Sequence, residues 1–471
     1  MKVPARGEGA VFGALIGLLV LAPLPFALAR DWGEALLTGL CFLLLALWCA
    51  VTSVSPGSRQ WPIVGWPVTL LLVVQGWALL QTVPLPAEWV RTLDPDLLTL
   101  RGSATTATLS LDPYYTLRQA LLGLGFTALF FVAAATVRTR QRVAWLLGAL
   151  VISGACQAAY GVFMVLSGLE LGFFVEKYVG EGVTTGTFVN RNNLAGYLNL
   201  CLGAGIGLLL AQLSDVRHPN WRTRLRAWLA LMLSSKILLR VLLAVMVVGL
   251  VLSRSRMGNM AFFTALMVVG AATLIAQKRF GGKALWLFGS LLLVDVLILG
   301  QWFGLDALIG RLEQTDPLNN GRADYAPFLW DYVSTFPWTG SGAGSFYGVF
   351  GQFHGGAIAL SPDHAHNDYA QFAADYGLPA LAILGSFVIA TGWQSWRLLT
   401  ANTRLYQGMG FAGLMMIVWL IMHSLADFNL QISANAATVM VLAGAVWGCQ
   451  SARRHATASR PSARPMQMTK D

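Results

Sequence analysis

The chain has 471 residues, of which 56% are hydrophobic and only 11% charged, and its mean hydropathy is +0.61. A soluble protein of this length usually carries a larger fraction of charged residues, so the composition disfavours a soluble protein and indicates a membrane protein. The net charge of +10 would suggest nucleic-acid binding in a soluble protein. Here it is explained by orientation in the membrane and attraction to anionic lipid, so we expect membrane lipid and no nucleic acid as partners.

Apolar windows of roughly 20 residues, long enough to cross the hydrocarbon core as helices, recur along the chain. They predict an all-α polytopic membrane protein with about twelve transmembrane helices. The predicted spans cover residues 11–29, 35–51, 66–83, 120–137, 143–166, 194–213, 237–252, 258–276, 284–303, 378–396, 408–425 and 434–448.

These spans divide the chain into four predicted parts. Residues 1–303 form a bundle of about nine helices, residues 304–376 a large loop between the ninth and tenth helices, and residues 377–450 the C-terminal helices. Residues 451–471, rich in Pro, Ser and Arg, are predicted to be a disordered cytoplasmic tail because they have too little apolar surface to offset the entropy of ordering. With both termini in the cytoplasm, most Lys and Arg residues lie inside, as the positive-inside rule requires.

The first outer segment, residues 84–118, is rich in proline and turns. It carries Asp94, Asp96 and Asp112 without a nearby histidine. We interpret it as a solvated connector.

The second outer segment leads into Asn190, Arg191 and Asn192, at the outer end of the sixth span. Polar groups at this depth need partners or a ligand. Arg254 and Arg256, at the outer end of the seventh span, lie at the same predicted depth. These arginines either snorkel to the lipid headgroups or bind an anion together, and the planar guanidinium suits a diphosphate.

Arg254 and Arg256 are two residues apart, which corresponds to about 200° around an ideal helix. Both can face one ligand only if the helix ends or unwinds between them. Gly258 makes such an irregularity possible.

The large loop opens with Arg322 and a predicted aromatic helix that could lie on the membrane surface. Pro337 and the glycine run at residues 340–344 end it. The glycine run is a weak signal for nucleotide binding because no strand precedes it, and we interpret it as a flexible turn that lets backbone approach a ligand. The aromatic residues are Tyr325, Phe328, Trp330 and Tyr332.

The loop ends in the sequence His364-Ala365-His366-Asn367-Asp368-Tyr369, which leads into an apolar helix face. His366, at or just before the helix N-terminus, could remain a neutral base while negative charge develops nearby, oriented by Asp368 or Asp363. The alternatives are a capping or hydrogen-bonded histidine, and a metal site, for which these side chains suffice in number but lack a recognised spacing. Farther along, Asp427 needs a cationic partner, and an outer arginine is the natural candidate.

Several motifs between residues 185 and 431 together resemble the O-antigen ligase and polymerase superfamily. They are G-T-F-x-N-R-N-N-x-A-x-Y-L, S-R-M-G, G-R before a tryptophan, G-x-G-x-G-S-F, H-N-D-Y-x-Q and D-F-N. The resemblance implies a bacterial inner-membrane glycosyltransferase with a GT-C-like fold, a periplasmic active site and a donor glycan on undecaprenyl diphosphate. It implies no metal and no cofactor.

By this resemblance His366 is the catalytic base, and Arg256, Arg254, Arg191 and Arg322 bind the diphosphate. Asp368, which could orient His366, is expected to be a second catalytic residue. The residues expected to support the pocket are Asn190, Asn192, His364, Asn367, Tyr369, Asp427 and Asn429.

The expected reaction moves a glycan onto an acceptor hydroxyl, and three enzyme functions share it. A ligase, which we favour, transfers the finished glycan to lipid A-core or a similar acceptor; a polymerase transfers a growing chain onto a new repeat unit; a third enzyme of this kind would glycosylate proteins. A solute transporter would also fit twelve spans. Transporters often show internal repeats and charges at mid-membrane, and this sequence has no visible repeat and few such charges.

Overall fold

The structure is a computed structural model, and it describes residues 7–54, 61–101, 105–177, 180–212, 235–276, 289, 322–358 and 362–458. Most of these residues are helical. The helices of the first half are α1 (Glu8–Leu21), α2 (Asp31–Val54), α3 (Gly65–Gln81), α4 (Ala87–Leu93), α5 (Pro95–Arg101), α6 (Pro113–Thr136), α7 (Arg140–Ser167) and α8 (Arg191–Ala211). Those of the second half are α9 (Ser235–Leu252), α10 (Arg256–Ala276), α11 (Arg322–Thr335), α12 (Phe346–His354), α13 (Asp368–Tyr376), α14 (Leu378–Leu399), α15 (Arg404–His423) and α16 (Ser433–Ala458).

Two short antiparallel ribbons and two 3-10 turns complete the described elements. Strand β1 (Leu85–Pro86) pairs with β2 (Thr106–Ala107), and β3 (Leu171–Gly172) pairs with β4 (Val175–Glu176). The 3-10 turns cover Phe26–Leu28 and Asn429–Gln431.

The apolar helices confirm a polytopic membrane protein. Within the described part of the chain, seven helices are long and apolar enough to span a membrane: α2, α6, α7, α8, α10, α14 and α15. The shorter apolar helices α1, α3 and α9 also coincide with predicted spans. The predicted span at 284–303 and most of the predicted tail lie outside the described residues. Helix α16 continues to Ala458, past the predicted start of that tail.

Helix α8 lies at the centre of the bundle. It is buried almost all round, and small residues let neighbouring helices approach closely. A Cβ on Gly207 would lie 2.3 Å from the Gly408 carbonyl oxygen of α15, and a Cβ on Gly203 would lie 2.9 Å from Met415. The α8–α15 contact therefore depends on the absence of side chains at these positions.

A second hydrophobic core, which we call the cap, lies at one end of the bundle. It unites α11, α12 and α13 with α4, α5 and β2, and its centre is the fully buried Tyr332 ring, packed among Phe346, Phe350 and Phe353. The expectation of a solvated connector was therefore wrong, because the apolar side chains of residues 85–112 complete the core of a folded unit. Helix α11 buries one face in the cap and leaves Trp330 72% exposed, and its position at the membrane surface stays a prediction.

Polar contacts connect the two parts of the cap. The Thr339 hydroxyl donates to Asp94 Oδ2 at 2.6 Å, and the Gln81 amide donates to the Thr339 carbonyl at 2.7 Å. Burial raises the pKa of Asp94, although the Thr339 hydrogen bond opposes the shift. Asp94 is thus an internal hydrogen-bonding group of the cap.

The glycine run also packs inside the protein. Gly340, Gly342 and Gly344 have φ values of 67°, 117° and 72°, a region that favours glycine. A Cβ on Gly340 would lie 2.4 Å from the Asp375 carbonyl oxygen, and one on Gly342 would lie 2.2 Å from the Ser110 hydroxyl. The run is therefore a closely packed turn and not a flexible one, and Gly344 also lines a cavity beside α13. The approach of this backbone to a ligand stays a prediction.

Candidate functional site

The turn before α13 holds His366 in an unusual backbone conformation. Asn367 caps the helix, because its side-chain oxygen accepts a hydrogen bond from the Ala370 amide at 3.1 Å. His366 adopts φ 47°, in the left-handed region that residues other than glycine rarely occupy. Such a conformation costs on the order of 1–3 kcal/mol and is retained only where the surroundings enforce it. The predicted position of His366 just before the helix is confirmed.

Asp427 is the carboxylate beside His366. Its Oδ1 lies 3.6 Å from His366 Nδ1, an ion-pair distance beyond the hydrogen-bond range, and it accepts a hydrogen bond from the Phe428 amide at 2.9 Å. Burial alone would raise the pKa of Asp427, but the interactions with His366 and His423 outweigh burial and lower it below its usual value. Asp427 therefore stays ionised and can stabilise an imidazolium at His366.

The Phe428 ring contacts both histidines of the motif. It stacks on His364 with centroids 4.4 Å apart, and it meets the His366 ring edge-on at 4.7 Å. A quarter of the His366 side chain is exposed. The ring is therefore oriented on one side and accessible on another, as a general base must be.

His364 is held differently from His366. Gln371 Nε2 lies 3.1 Å from His364 Nδ1, and the other end of that amide accepts a hydrogen bond from the Ala365 backbone at 3.0 Å. Burial lowers the pKa of His364 to about 4. At neutral pH this ring is uncharged, and its contacts support the turn.

Asp368 faces a different set of partners. Its Oδ2 accepts hydrogen bonds from the Ser424 hydroxyl at 2.9 Å and from the Leu430 amide at 3.3 Å. Burial raises the pKa of Asp368 to about 7. Asp363 is exposed. The carboxylate that contacts His366 is thus Asp427, contributed by a distant segment, where Asp368 or Asp363 had been expected.

A chain of buried amides connects this site to the first turn of α8. The Asn435 side chain donates to the Asn193 carbonyl at 3.0 Å and to Asn429 Oδ1 at 2.9 Å. Asn429 in turn hydrogen-bonds the Nδ1 of His423. The segment that carries Asp427 is therefore fixed against the N-terminus of α8.

Three of the predicted arginines lie at this same end of the bundle. Arg191 is the first residue of α8, capped by Asn190, whose Oδ1 accepts from the Asn192 amide at 2.8 Å. Arg256 is the first residue of α10, and Arg254 precedes it. All three arginine side chains are exposed.

The N-termini of α8 and α10 lie side by side. Asn199 of α8 donates to the Gly258 carbonyl of α10 at 3.0 Å, and a Cβ on Gly258 would lie 2.6 Å from Ala195. Two helix N-termini present partial positive charge, and with their arginines they form a surface suited to an anion.

The helix break that Arg254 and Arg256 would need in order to face one ligand is present. Helix α9 ends at Leu252 and α10 begins at Arg256, and Arg254 between them has φ 52°. Gly258 lies inside α10, so the break does not depend on it.

The remaining predicted residues occupy structural positions near the site. Arg322 is the first residue of α11 in the cap. The Tyr369 hydroxyl donates to the Ile421 carbonyl at 2.9 Å, which ties α13 to α15.

A cavity of about 330 Å³ opens beside α13, between α3, α6, α14, α15 and α16. Most of its lining is apolar, and its polar lining residues include Asp368, Tyr369 and Ser424. His366 is not among its lining residues. The site thus has two sides, with His366 and Asp427 on one and the cavity beside Asp368 on the other.

The described residues contain no cluster of side chains suited to bind a metal ion. Among them, no group of three or more His, Cys, Asp or Glu side chains is placed to hold an ion.

The structure places a histidine beside a carboxylate, next to a cap on an apolar helix bundle. This arrangement can be compared with known protein families. Residues 241–385 match the family model for O-antigen ligase. Part of the chain thus matches the O-antigen ligase domain. This domain spans Arg254, Arg256, Arg322, His364 and His366, and it confirms the superfamily that the motifs predicted. A search of curated proteins found no match.

Two contributors to the site were missed in the sequence. Asn435 lies within an apolar stretch, and a lone asparagine there is the signal that could have revealed the amide chain. Phe428 was seen only as part of a D-F-N motif, and its contact with both histidines requires the folded chain.

Proposed function

We propose that this protein is an O-antigen ligase-like glycosyltransferase. It transfers a glycan from undecaprenyl diphosphate to a hydroxyl of lipid A-core or a similar acceptor, at the periplasmic face of the bacterial inner membrane, with both termini in the cytoplasm. The observation that carries the proposal is the pairing of His366 with an ionised Asp427, at the end of the bundle where Arg191 and Arg256 begin two adjacent helices. The O-antigen ligase domain supports the same reaction.

In the proposed reaction His366 acts as the base. The accessible edge of its ring accepts the proton of the acceptor hydroxyl, and Asp427 stabilises the imidazolium that forms. Since the pKa of Asp427 is lowered, it remains negative while the proton is transferred.

The acceptor oxygen then attacks the anomeric carbon, and the bond from that carbon to the diphosphate oxygen breaks. The bonding electrons leave with undecaprenyl diphosphate, whose developing charge Arg256, Arg254, Arg191 and Arg322 stabilise. A single displacement of this kind inverts the configuration of the anomeric carbon. The arginines and helix N-termini supply the positive charge that such a leaving group requires.

A complementation experiment tests the proposal. A strain that lacks the gene receives the wild type, His366→Ala or Arg256→Ala, and expression, surface polysaccharide and lipid-linked glycan are followed by gel. Matched controls are His455→Ala and Arg454→Ala, at the opposite end of α16. We expect only the two site variants to lose surface glycan and to accumulate long glycan on undecaprenyl diphosphate.

Two outcomes would contradict the proposal. If both site variants restore surface glycan fully while expressed at wild-type level, the proposed catalytic site is wrong. If the deletion strain instead carries single repeat units on its acceptor, the protein is a polymerase and not a ligase.

A further inference from the structure

The contact between α14 and α16 ends in an arginine, at the end of the bundle opposite the cap. Gln450 Nε2 of α16 donates to the Gln394 carbonyl of α14 at 2.9 Å. About one turn farther along both helices, Arg453 Nη1 donates to the Arg397 carbonyl at 2.6 Å and to Gln450 Oε1 at 3.4 Å. The guanidinium group of Arg453 is therefore held against the last turn of α14, where a cation also meets the negative end of the helix dipole.

Arg397 brings a second guanidinium group to the same place. Its side chain is exposed, and it lies close enough to Arg453 for the two like charges to repel each other. Among the described residues at this end of the bundle, the one acidic side chain is Glu8, and it pairs with Arg142 at 3.5 Å. An anion bound between Arg397 and Arg453 would therefore offset their repulsion.

The exposed face of α14 next to Arg397 is apolar. Trp393 precedes Arg397 by four residues and Ile389 precedes Trp393 by four, so the three side chains follow one another on one face of the helix. Ile389 and Trp393 are 74% and 61% exposed, on a helix that is long and apolar enough to span a membrane. This face therefore meets lipid, and the tryptophan ring lies one turn from the arginine, as is common at the membrane–water interface. A lipid chain along Ile389 and Trp393 would bring its head group to Arg397.

We propose that this end of α14 binds one anionic phospholipid of the membrane. The phosphate oxygens accept hydrogen bonds from Arg397 and Arg453, and an acyl chain lies along Trp393 and Ile389. The contact with the chain favours a lipid over a phosphate ion from solution. The site lies at the opposite end of the bundle from the proposed diphosphate surface, so its occupancy does not depend on the glycosyl transfer reaction.

Native mass spectrometry of the full-length protein in detergent tests the proposal. The protein is titrated with phosphatidylglycerol and, separately, with phosphatidylethanolamine of the same acyl chains. We expect the first phosphatidylglycerol to bind about tenfold more tightly than the first phosphatidylethanolamine, a difference of about 1.4 kcal/mol, and to resist an equal concentration of glycerol phosphate. Equal binding of the two lipids would overturn the proposal, and displacement by glycerol phosphate would show that the site takes a phosphate from solution instead.

A charge variant separates one site from the general attraction of a basic membrane protein to anionic lipid. Arg397→Gln removes one guanidinium group and leaves the Arg453 hydrogen bond, which is made to a main-chain carbonyl. We expect phosphatidylglycerol to bind about fivefold more weakly, the scale of one arginine near an anionic surface, and phosphatidylethanolamine to bind as before. Arg240→Gln is the matched control, because Arg240 is exposed near the start of α9, a helix that packs against α7 and α8. Equal weakening in both variants would refute a single site.

A second variant tests the contact with the acyl chain. Trp393→Ala removes the exposed ring, and we expect phosphatidylglycerol to bind about threefold more weakly because less apolar surface is covered. Trp145→Ala on α7 is the control, since Trp145 is also exposed, at 58%, and lies on another helix. If Trp393→Ala binds phosphatidylglycerol as tightly as Trp145→Ala does, the chain does not lie on this face of α14, and the proposal fails.

Discussion

The two sides of the α13 N-terminus bury carboxyl groups to nearly the same extent but put them in opposite states. Asp427 and Asp368 are 0% and 1% exposed, yet the pKa of Asp427 is lowered and that of Asp368 is raised to about 7. The difference comes from neighbours. Asp427 lies beside His366 and near His423, whereas Asp368 has neutral donors and an apolar cavity. Burial raises the free-energy cost of ionising a carboxyl group, and the interactions with neighbouring groups determine whether that cost is offset.

The largest effect on activity is expected when the charge of Asp427 is removed. Asp427→Asn keeps the shape but cannot stabilise an imidazolium, so we expect glycosyl transfer to fall by about 10³-fold. The measurement is transfer from purified lipid-linked glycan to acceptor, with the protein in nanodiscs. Asp331→Asn, at an exposed position of the cap, is the control and should retain full activity. Near-normal turnover by the Asp427 variant would show that the ion pair is not part of the reaction.

The second test replaces Asp368 with a neutral residue and measures thermal stability as a function of pH. Because the pKa is raised in the folded state, folding favours the protonated form, and the penalty for ionisation is absent below about pH 4 and grows as the pH rises to 7. With about 1.4 kcal/mol per pKa unit, it reaches roughly 4 kcal/mol above pH 7. We expect Asp368→Asn to unfold at a higher temperature than wild type at pH 8, with the gap closing toward pH 4.

Intrinsic fluorescence during heating measures this difference, and Asp363→Asn is the exposed control. A gap that stays constant between pH 8 and pH 4 would mean that Asp368 is ionised in the folded protein throughout.

A smaller effect is expected in the amide chain that joins the Asp427 segment to α8. Asn435→Ala removes two donated hydrogen bonds and leaves the Asn193 carbonyl and Asn429 Oδ1 without them. We expect a loss of roughly 2 kcal/mol in stability and a fall in transfer activity, because the segment that holds Asp427 loses its support. Thermal unfolding and the transfer assay measure the two effects. Thr438→Ala, one turn along α16, should change stability less, since its hydroxyl bonds only within the helix.

The smallest effect on transfer activity is expected from substitution of His364, two residues before His366. His364 has a pKa near 4 and stacks on Phe428, so His364→Phe retains the stack and loses only the contact with Gln371. We expect transfer activity within about threefold of wild type, against near-complete loss for His366→Phe. Comparing the two variants in the same assay separates the chemical role of the histidine ring from its contribution to packing. Equal loss in both would indicate that the turn itself, not the His366 ring, is required.

Local patterns were sufficient to predict much of the bundle and the start of α13. Apolar length marked the spans, and the apolar face after the histidine motif placed His366 at or just before a helix N-terminus. The need for a helix break between Arg254 and Arg256 also followed from helical geometry alone. These features depend on neighbours within one or two turns, which is the range that a single sequence reports well.

The partners of the site could not be predicted in this way. Asp427 meets His366 across some sixty residues of chain, and the competing candidates Asp363 and Asp368 are adjacent to it in sequence. Asp368 is directed elsewhere because its backbone amide is held by the Ser424 and Asp427 carbonyls and its side chain by the Ser424 hydroxyl. Such choices are made by tertiary packing, so sequence proximity favoured the wrong carboxylate as the contact of His366.

The cap is assembled from two stretches of chain that are more than two hundred residues apart, joined by the Thr339–Asp94 hydrogen bond. Each stretch therefore supplies partners for buried groups of the other. A chimera that exchanged residues 322–376 with a relative, and kept its own residues 85–112, would leave the Asp94 carboxyl buried without its hydroxyl donor wherever the relative lacks one. Engineers who wish to change what this protein recognises should therefore transplant both stretches together.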